Sequence, residues 1–259
     1  MAVGHIVFDR ADWFLSDAFA RFAQELADRL TIGPNTMGYG LSMGGFGALY
    51  WADFLGLSSA LLLAPQAEMT PGAIPNEMRW SRYNLPPHQI KPHRSQMIVV
   101  TDQTHALDMA HAALISDMGP TMLLDVPHLG HGVAKTLAEA RCLKPLVKIC
   151  KAGGSENQIR REILNEECLS GSSTWLSNKA RTVPRPEKED LLNRALALKP
   201  DNHTARYRLG ISLLHHRPQD GHDMFKPLFA RNLDRPYMRT QYLKACADLS
   251  LQPQAMDLA

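Results

Sequence analysis

The chain has 259 residues, 45% hydrophobic and 21% charged, with a formal net charge of +2. That composition describes a soluble globular protein with room for one large core or two unequal ones, and it excludes disorder throughout the chain. The most apolar stretch, 60–65 (ALLLAP), is too short to span a membrane. The opening MAVGHIVFDRADWF lacks the basic-then-apolar layout of a secretory signal. Cys142, Cys150, Cys168 and Cys246 are widely spaced with no CxxC pair, which reads as reduced thiols in a cytoplasmic protein. Residues 1–150 hold 11 Lys+Arg against 13 Asp+Glu, and the remainder 17 against 13. An excess that mild does not argue nucleic-acid binding, but it marks a compositional break near residue 150.

In chain order, the first part alternates strand and helix signals. HIVF (5–8) is a short apolar run. Ser16 can cap a helix whose apolar positions are Phe19, Phe22, Leu26 and Leu30, the spacing of one buried face. NTMGYGLS (35–42) reads as a strand running into glycine, and 45–56 as a helix with Phe46, Leu49, Tyr50 and Phe54 in register. SALLLAP (59–65), MIVVT (97–101) and TMLLDV (121–126) are continuous apolar runs of the kind buried on both faces, with a helix over 109–118 between the last two. VAKTLAEARCLKPLVKICK supplies the final helix or pair of helices. Strands alternating with helices imply a parallel sheet with right-handed crossovers. Residues 66–96 break the rhythm with five prolines, and Trp80 and Tyr83 favour an ordered flap there. Trp13, Phe14, Trp80 and Tyr83 could line an apolar pocket or simply pack.

The second part, 151–259, reads as all-helical, with junctions at GGS (153–155) and TVPRPEK (182–188) and one helix over ENQIRREILNEECL. Ala195, Pro200, Asn202, Leu209 and Gly210 resemble the tetratricopeptide pattern, in which one helix ends in Ala-x-x-x-x-Pro and the next opens with Leu-Gly. A helix over 224–231 and Pro236 extend the pattern only with an inserted residue.

The sharpest local feature is Gly40-Leu41-Ser42-Met43-Gly44, inside GYGLSMGGFGA. It follows a strand signal and opens a helix signal, the setting a nucleophile elbow needs. Ser42 would occupy a strained turn with Oγ projected above the sheet edge, and small residues at 40 and 44 would let strand and helix approach.

On these residues the first 150 positions resemble an α/β-hydrolase, and GLSMGGFGAL followed by LLLAPQAEMTP resembles bacterial hydrolase-like proteins carrying GxSMGGxxAL. The resemblance implies a three-layer α/β fold with a mostly parallel sheet, followed here by a helical-repeat-like segment. It implies that the triad members follow in the order Ser, acid, His. His131, in PHLGHGV after the last strand, matches the family's Gly-His loop, with His128 as competitor. The acid should lie just beyond MIVVT, where Asp102 is favoured over Asp108, because Asp108 could cap the following helix. The usual family spacing would put the acid near position 105, which is His105. The Met43 N–H is the first oxyanion donor. On this alignment the strand and loop supplying the second donor precede Met1. The sheet is then truncated at its N-terminal side: the loop DRAD (9–12) substitutes, the gene product is longer, or activity is weak.

The expected function is therefore hydrolysis of an ester or thioester of a small-molecule or acylated substrate, through an acyl-enzyme. Ser42 is the nucleophile, His131 the base, Asp102 the orienting acid, and no cofactor is needed. An acyltransferase would keep the same triad. The alternative is a weak or inactive hydrolase-fold scaffold whose helical repeats recruit a protein partner. Asp102, His105, Asp108 and His111 recur every three residues, as do His128 and His131, but their spread over strand edge and helix argues against one metal site. Neither a nucleic-acid partner nor a membrane span is expected.

Overall fold

The computed structural model describes residues 13–29, 36–78, 90–230 and 236–253. Its elements, in order, are α1 (Asp17–Arg29), β1 (Met37–Leu41), α2 (Met43–Trp51), β2 (Ser59–Leu63), β3 (Gln96–Thr101), α3 (Ala106–Met118) and β4 (Thr121–Asp125). Nine further helices follow among the described residues: α4 (Val133–Glu139), α5 (Leu143–Lys151), α6 (Glu156–Glu162), α7 (Glu166–Leu169), α8 (Ser173–Lys179), α9 (Arg185–Leu198), α10 (His203–Leu214), α11 (Pro218–Ala230) and α12 (Pro236–Asp248). HIVF (5–8), Leu30, Trp80 and Tyr83 lie outside the described residues.

The four strands form one parallel sheet in the order β1-β2-β3-β4. Alternation within the central strands β2 and β3 explains why both of their faces are dry. Ala60 and Leu62 of β2 join Met97 and Val99 of β3 in a core with Phe46 and Leu49 of α2 and Ala112 and Ile115 of α3. Their neighbours Leu61, Leu63, Ile98 and Val100 point the other way and are also buried. Both helical crossovers step in the same direction across the sheet, so right-handed connections put α2 and α3 on one face. Each fully buried Leu or Val here contributes about 1.5–3 kcal/mol.

α1 begins where Ser16 was expected to cap it: Ser16 Oγ accepts the Phe19 N–H at 3.3 Å. Phe19 is buried on it, but Phe22 is 41% exposed, so the buried face is narrower than the apolar spacing implied. The long segment between β2 and β3 contains no helix or strand among its described residues.

The described residues divide into two compact units, and the division is not a single cut near 150. Residues of Met1–Val126, His131–Ala134 and Leu146–Arg160 make the first; Pro127–Gly130, Lys135–Pro145 and Arg161–Ala259 make the second. The secondary-structure elements described in the second unit are all helices. ENQIRREILNEECL is two helices rather than one, because the Asn165 side chain accepts the Cys168 N–H and starts α7 afresh. α10 opens at His203 under an Asn202 cap, which puts Leu209 and Gly210 in mid-helix rather than at its start. There Gly210 faces Phe225 so closely that a Cβ would fall 2.6 Å from the ring. Phe225, Phe229, Tyr242 and Leu214 form the core beneath, with the buried His222 Nδ1 2.8 Å from the Tyr242 hydroxyl.

Candidate active site

Ser42 is the single residue between β1 and α2, with φ 50° and ψ −115°. A serine in that region carries strain of about 1–3 kcal/mol, held in place by its surroundings. The Ser42 N–H donates to the Leu63 carbonyl at 3.0 Å, and its own carbonyl accepts from Phe46 N–H at 3.1 Å and Gln66 N–H at 3.4 Å. The close approach of strand and helix depends on Gly40, where a Cβ would lie 2.1 Å from the Gly44 carbonyl oxygen. Gly44 itself faces open space. The second tight position is Gly45, whose Cβ would lie 2.9 Å from Pro65 Cβ. The expected steric need at 44 is therefore not found; it falls at 45, further along the same run of small residues, because Pro65, two residues beyond β2, approaches that side of the helix.

Behind this turn, Phe14 covers Gly47, where a Cβ would fall 2.5 Å from the ring, and the Phe14 carbonyl accepts from Trp51 Nε1 at 3.0 Å. Trp13 is buried edge-on against Phe46 at 5.9 Å. These two aromatics pack the elbow helix rather than line a pocket.

His131 lies on the loop that follows β4. Its Nε2 is 3.1 Å from Ser42 Oγ and its Nδ1 is 2.9 Å from Asp108 Oδ2. Asp108, on the first turn of α3, is fully buried. An ionised carboxylate only accepts, so this contact puts the ring proton on Nδ1 and leaves Nε2 as a bare acceptor for the serine hydroxyl. Ser42 Oγ, the His131 ring and the Asp108 carboxylate therefore form one hydrogen-bonded series.

The structure brings Asp108, not Asp102, to His131. The Asp102 carboxylate turns back on its own loop, where Oδ1 accepts the Thr104 N–H at 2.8 Å and the Thr104 hydroxyl at 2.7 Å. Asp108 is not spent on capping α3 because His105 does that work, accepting the Asp108 N–H at 3.3 Å. His128 is directed elsewhere, with its ring 6.2 Å from that of Trp175. Met43 is the first residue of α2, so its N–H has no acceptor within the helix and is available at the turn. The DRAD loop (9–12), the expected source of a second donor, lies outside the described residues.

His111, one turn beyond Asp108, was read from sequence only as a member of the His/Asp series. It is fully buried, and its Nδ1 accepts the N–H groups of Ala67 (3.0 Å) and Glu68 (3.2 Å). Two donors on Nδ1 fix the proton on Nε2, which faces Glu77 Oε2 at 3.3 Å. α3 thus holds both the acid for His131 and the loop whose Gln66 amide reaches Ser42. The only sequence signal for this was the i, i+3 spacing of Asp108 and His111 on one helix. Among the described residues no group of three or more His, Cys, Asp and Glu is arranged to hold a metal ion. Burial pushes the thiols of Cys142 and Cys150 up to about 11, so neither is a nucleophile at neutral pH. No described helix is long and apolar enough to cross a membrane.

No family model, curated protein or solved structure matches this chain. The site geometry is therefore the ground for assigning a function.

Proposed function

We infer that the chain is a serine hydrolase acting on an ester or thioester through Ser42, His131 and Asp108. The observation that carries the reading is the pair of contacts made by His131, 3.1 Å to Ser42 Oγ and 2.9 Å to Asp108 Oδ2. The strained φ of Ser42 is the second support. The finer fold that goes with this reading is a three-layer α/β-hydrolase domain, with a tetratricopeptide-like helical region.

In this mechanism Ser42 Oγ attacks the acyl carbon while its proton passes to His131 Nε2. Charge developing on the acyl oxygen is met by the Met43 N–H at the N-terminus of α2, where the helix dipole adds to the donor. Asp108 holds the ring in the required tautomer and stabilises the imidazolium without taking the proton. The tetrahedral intermediate collapses as His131 returns the proton to the leaving alkoxide or thiolate, giving an acyl-serine. Water then attacks the acyl carbon, losing its proton to His131 Nε2. Collapse of the second intermediate returns that proton to Ser42 Oγ and releases the acid. No step needs a cofactor.

A fluorophosphonate probe tests the reading. Wild type labels at Ser42, and Ser42→Ala does not. Absence of labelling in wild type, or labelling that survives Ser42→Ala, overturns it. Product analysis with a second nucleophile present separates hydrolase from acyltransferase.

A further inference from the structure

Asp108 faces two imidazoles rather than one. Its Oδ2 lies 2.9 Å from His131 Nδ1 and 3.2 Å from His105 Nδ1. The two rings stand 6.0 Å apart, tilted by 36°. His105 Nδ1 also has the Asp108 N–H at 3.3 Å, the contact that caps α3. One ring nitrogen cannot serve both neighbours. Without a proton it accepts the amide, and with one it donates to the carboxylate.

We propose that His105 is a positioning residue for the Asp108–His131 pair: a proton on its Nδ1 converts it from helix cap to second donor on Oδ2 and weakens the bond of that oxygen to His131. Titratable groups stand near His105 on more than one element. Asp108 is on its own helix and His131 comes from the loop after β4. Asp102 lies at the start of its own loop, where its carbonyl accepts the His105 N–H at 2.9 Å and its carboxylate is engaged by Thr104. The two imidazoles are therefore coupled through one carboxylate oxygen. His105 is suited to this because its side chain is 37% exposed and exchanges protons with solvent, whereas Asp108 is fully buried. The consequence for catalysis rests on the acyl-transfer reading of Ser42, His131 and Asp108; the coupling itself does not.

The test is an NMR titration of the imidazole Cε1–H signals in the full chain, for wild type and His105→Asn. Asparagine is a strong N-cap whose Oδ1 accepts the same amide but does not titrate, so the helix start is kept and only the competing charge is lost. The His131 midpoint is expected to rise by about half a pH unit or more when the charge 6.0 Å away is removed. An unchanged midpoint in a folded variant overturns the proposal. Should His105→Asn fail to fold, His105→Ser, which also caps without titrating, replaces it. Fluorophosphonate labelling of wild type is run in parallel. A shifted midpoint without labelling sinks the hydrolase reading and keeps the coupling, whereas labelling with an unshifted midpoint does the reverse.

Discussion

The carboxylate of Asp108 meets Nδ1 of His131 at 2.9 Å across 23 residues of chain. One residue sits on the first turn of a helix after β3 and the other on the loop after β4. Only the parallel pairing of those two strands brings both to the same end of the sheet. Because the contact fixes the proton on Nδ1, the serine-facing nitrogen is free to accept.

Replacing Asp108 by Asn should therefore cost far more activity than replacing Asp102. For Asp108→Asn the expected loss in turnover is about 10³–10⁴-fold, the consequence of a wrong tautomer in an otherwise intact site. Asp102→Asn keeps an oxygen for the Thr104 contacts and should lose less than about tenfold. Turnover of a p-nitrophenyl ester, or the rate of fluorophosphonate labelling, measures both. The opposite ranking would return Asp102 to the role of orienter.

The glycines of the elbow separate by stability. Gly40→Ala sets a Cβ 2.1 Å from a backbone oxygen and should destabilise by about 3 kcal/mol or more. Gly44→Ala meets nothing within 4 Å and sits in a helix, so it should be neutral or stabilising by up to about 1 kcal/mol. Urea denaturation of the two variants decides this, and equal effects would contradict the packing described.

For His111, the acceptor role of Nδ1 matters more than its volume. His111→Leu leaves the amides of Ala67 and Glu68 without this acceptor and should cost about 2–4 kcal/mol. His111→Asn keeps an oxygen near the Nδ1 position and should recover part of that loss. Thermal denaturation of both variants reads the difference, and no recovery by Asn would mean that packing alone explains the residue.

Cys142 and Cys150 should resist a thiol reagent at pH 8 in the folded chain and react at once on unfolding. Burial raises both thiols from 9.0 to about 11, with the neighbouring Cys168 adding to the effect at Cys142. A raised folded-state value means that the native state holds these protons more tightly. Their contribution to stability is therefore full below about pH 9 and lost as pH rises toward 11. A thiol titration with a disulfide reagent, with and without denaturant, checks the accessibility, and a denaturation series from pH 8 to 11 checks the sign.

The strands β2, β3 and β4 were legible within a residue or two because each is an apolar run bounded by breakers, whereas β1 (MGYGL) was marked by the glycine-rich turn it runs into and leaves Tyr39 and Leu41 exposed. Ser42 was legible because its turn is a local constraint, with Gly40 forced by the Gly44 carbonyl four residues on. His131 was legible by its place after the last strand.

The identity of its carboxylate partner was not. Asp102 and Asp108 lie within one loop and one helical turn, and local pattern weighs both as capping or functional groups. Which of them faces His131 depends on His105 taking the cap of α3 and Thr104 taking the Asp102 carboxylate. The same holds for His111, whose partners come from 34 and 43–44 residues away. The order of strands, the alternation that keeps β2 and β3 dry on both faces and the strained serine were determined by near-neighbour chemistry along the chain. The carboxylate that orients His131, and the second imidazole that shares it, were decided only by tertiary structure, because hydrogen-bond partners are chosen by distance in space and each acceptor satisfied locally is withdrawn from that choice.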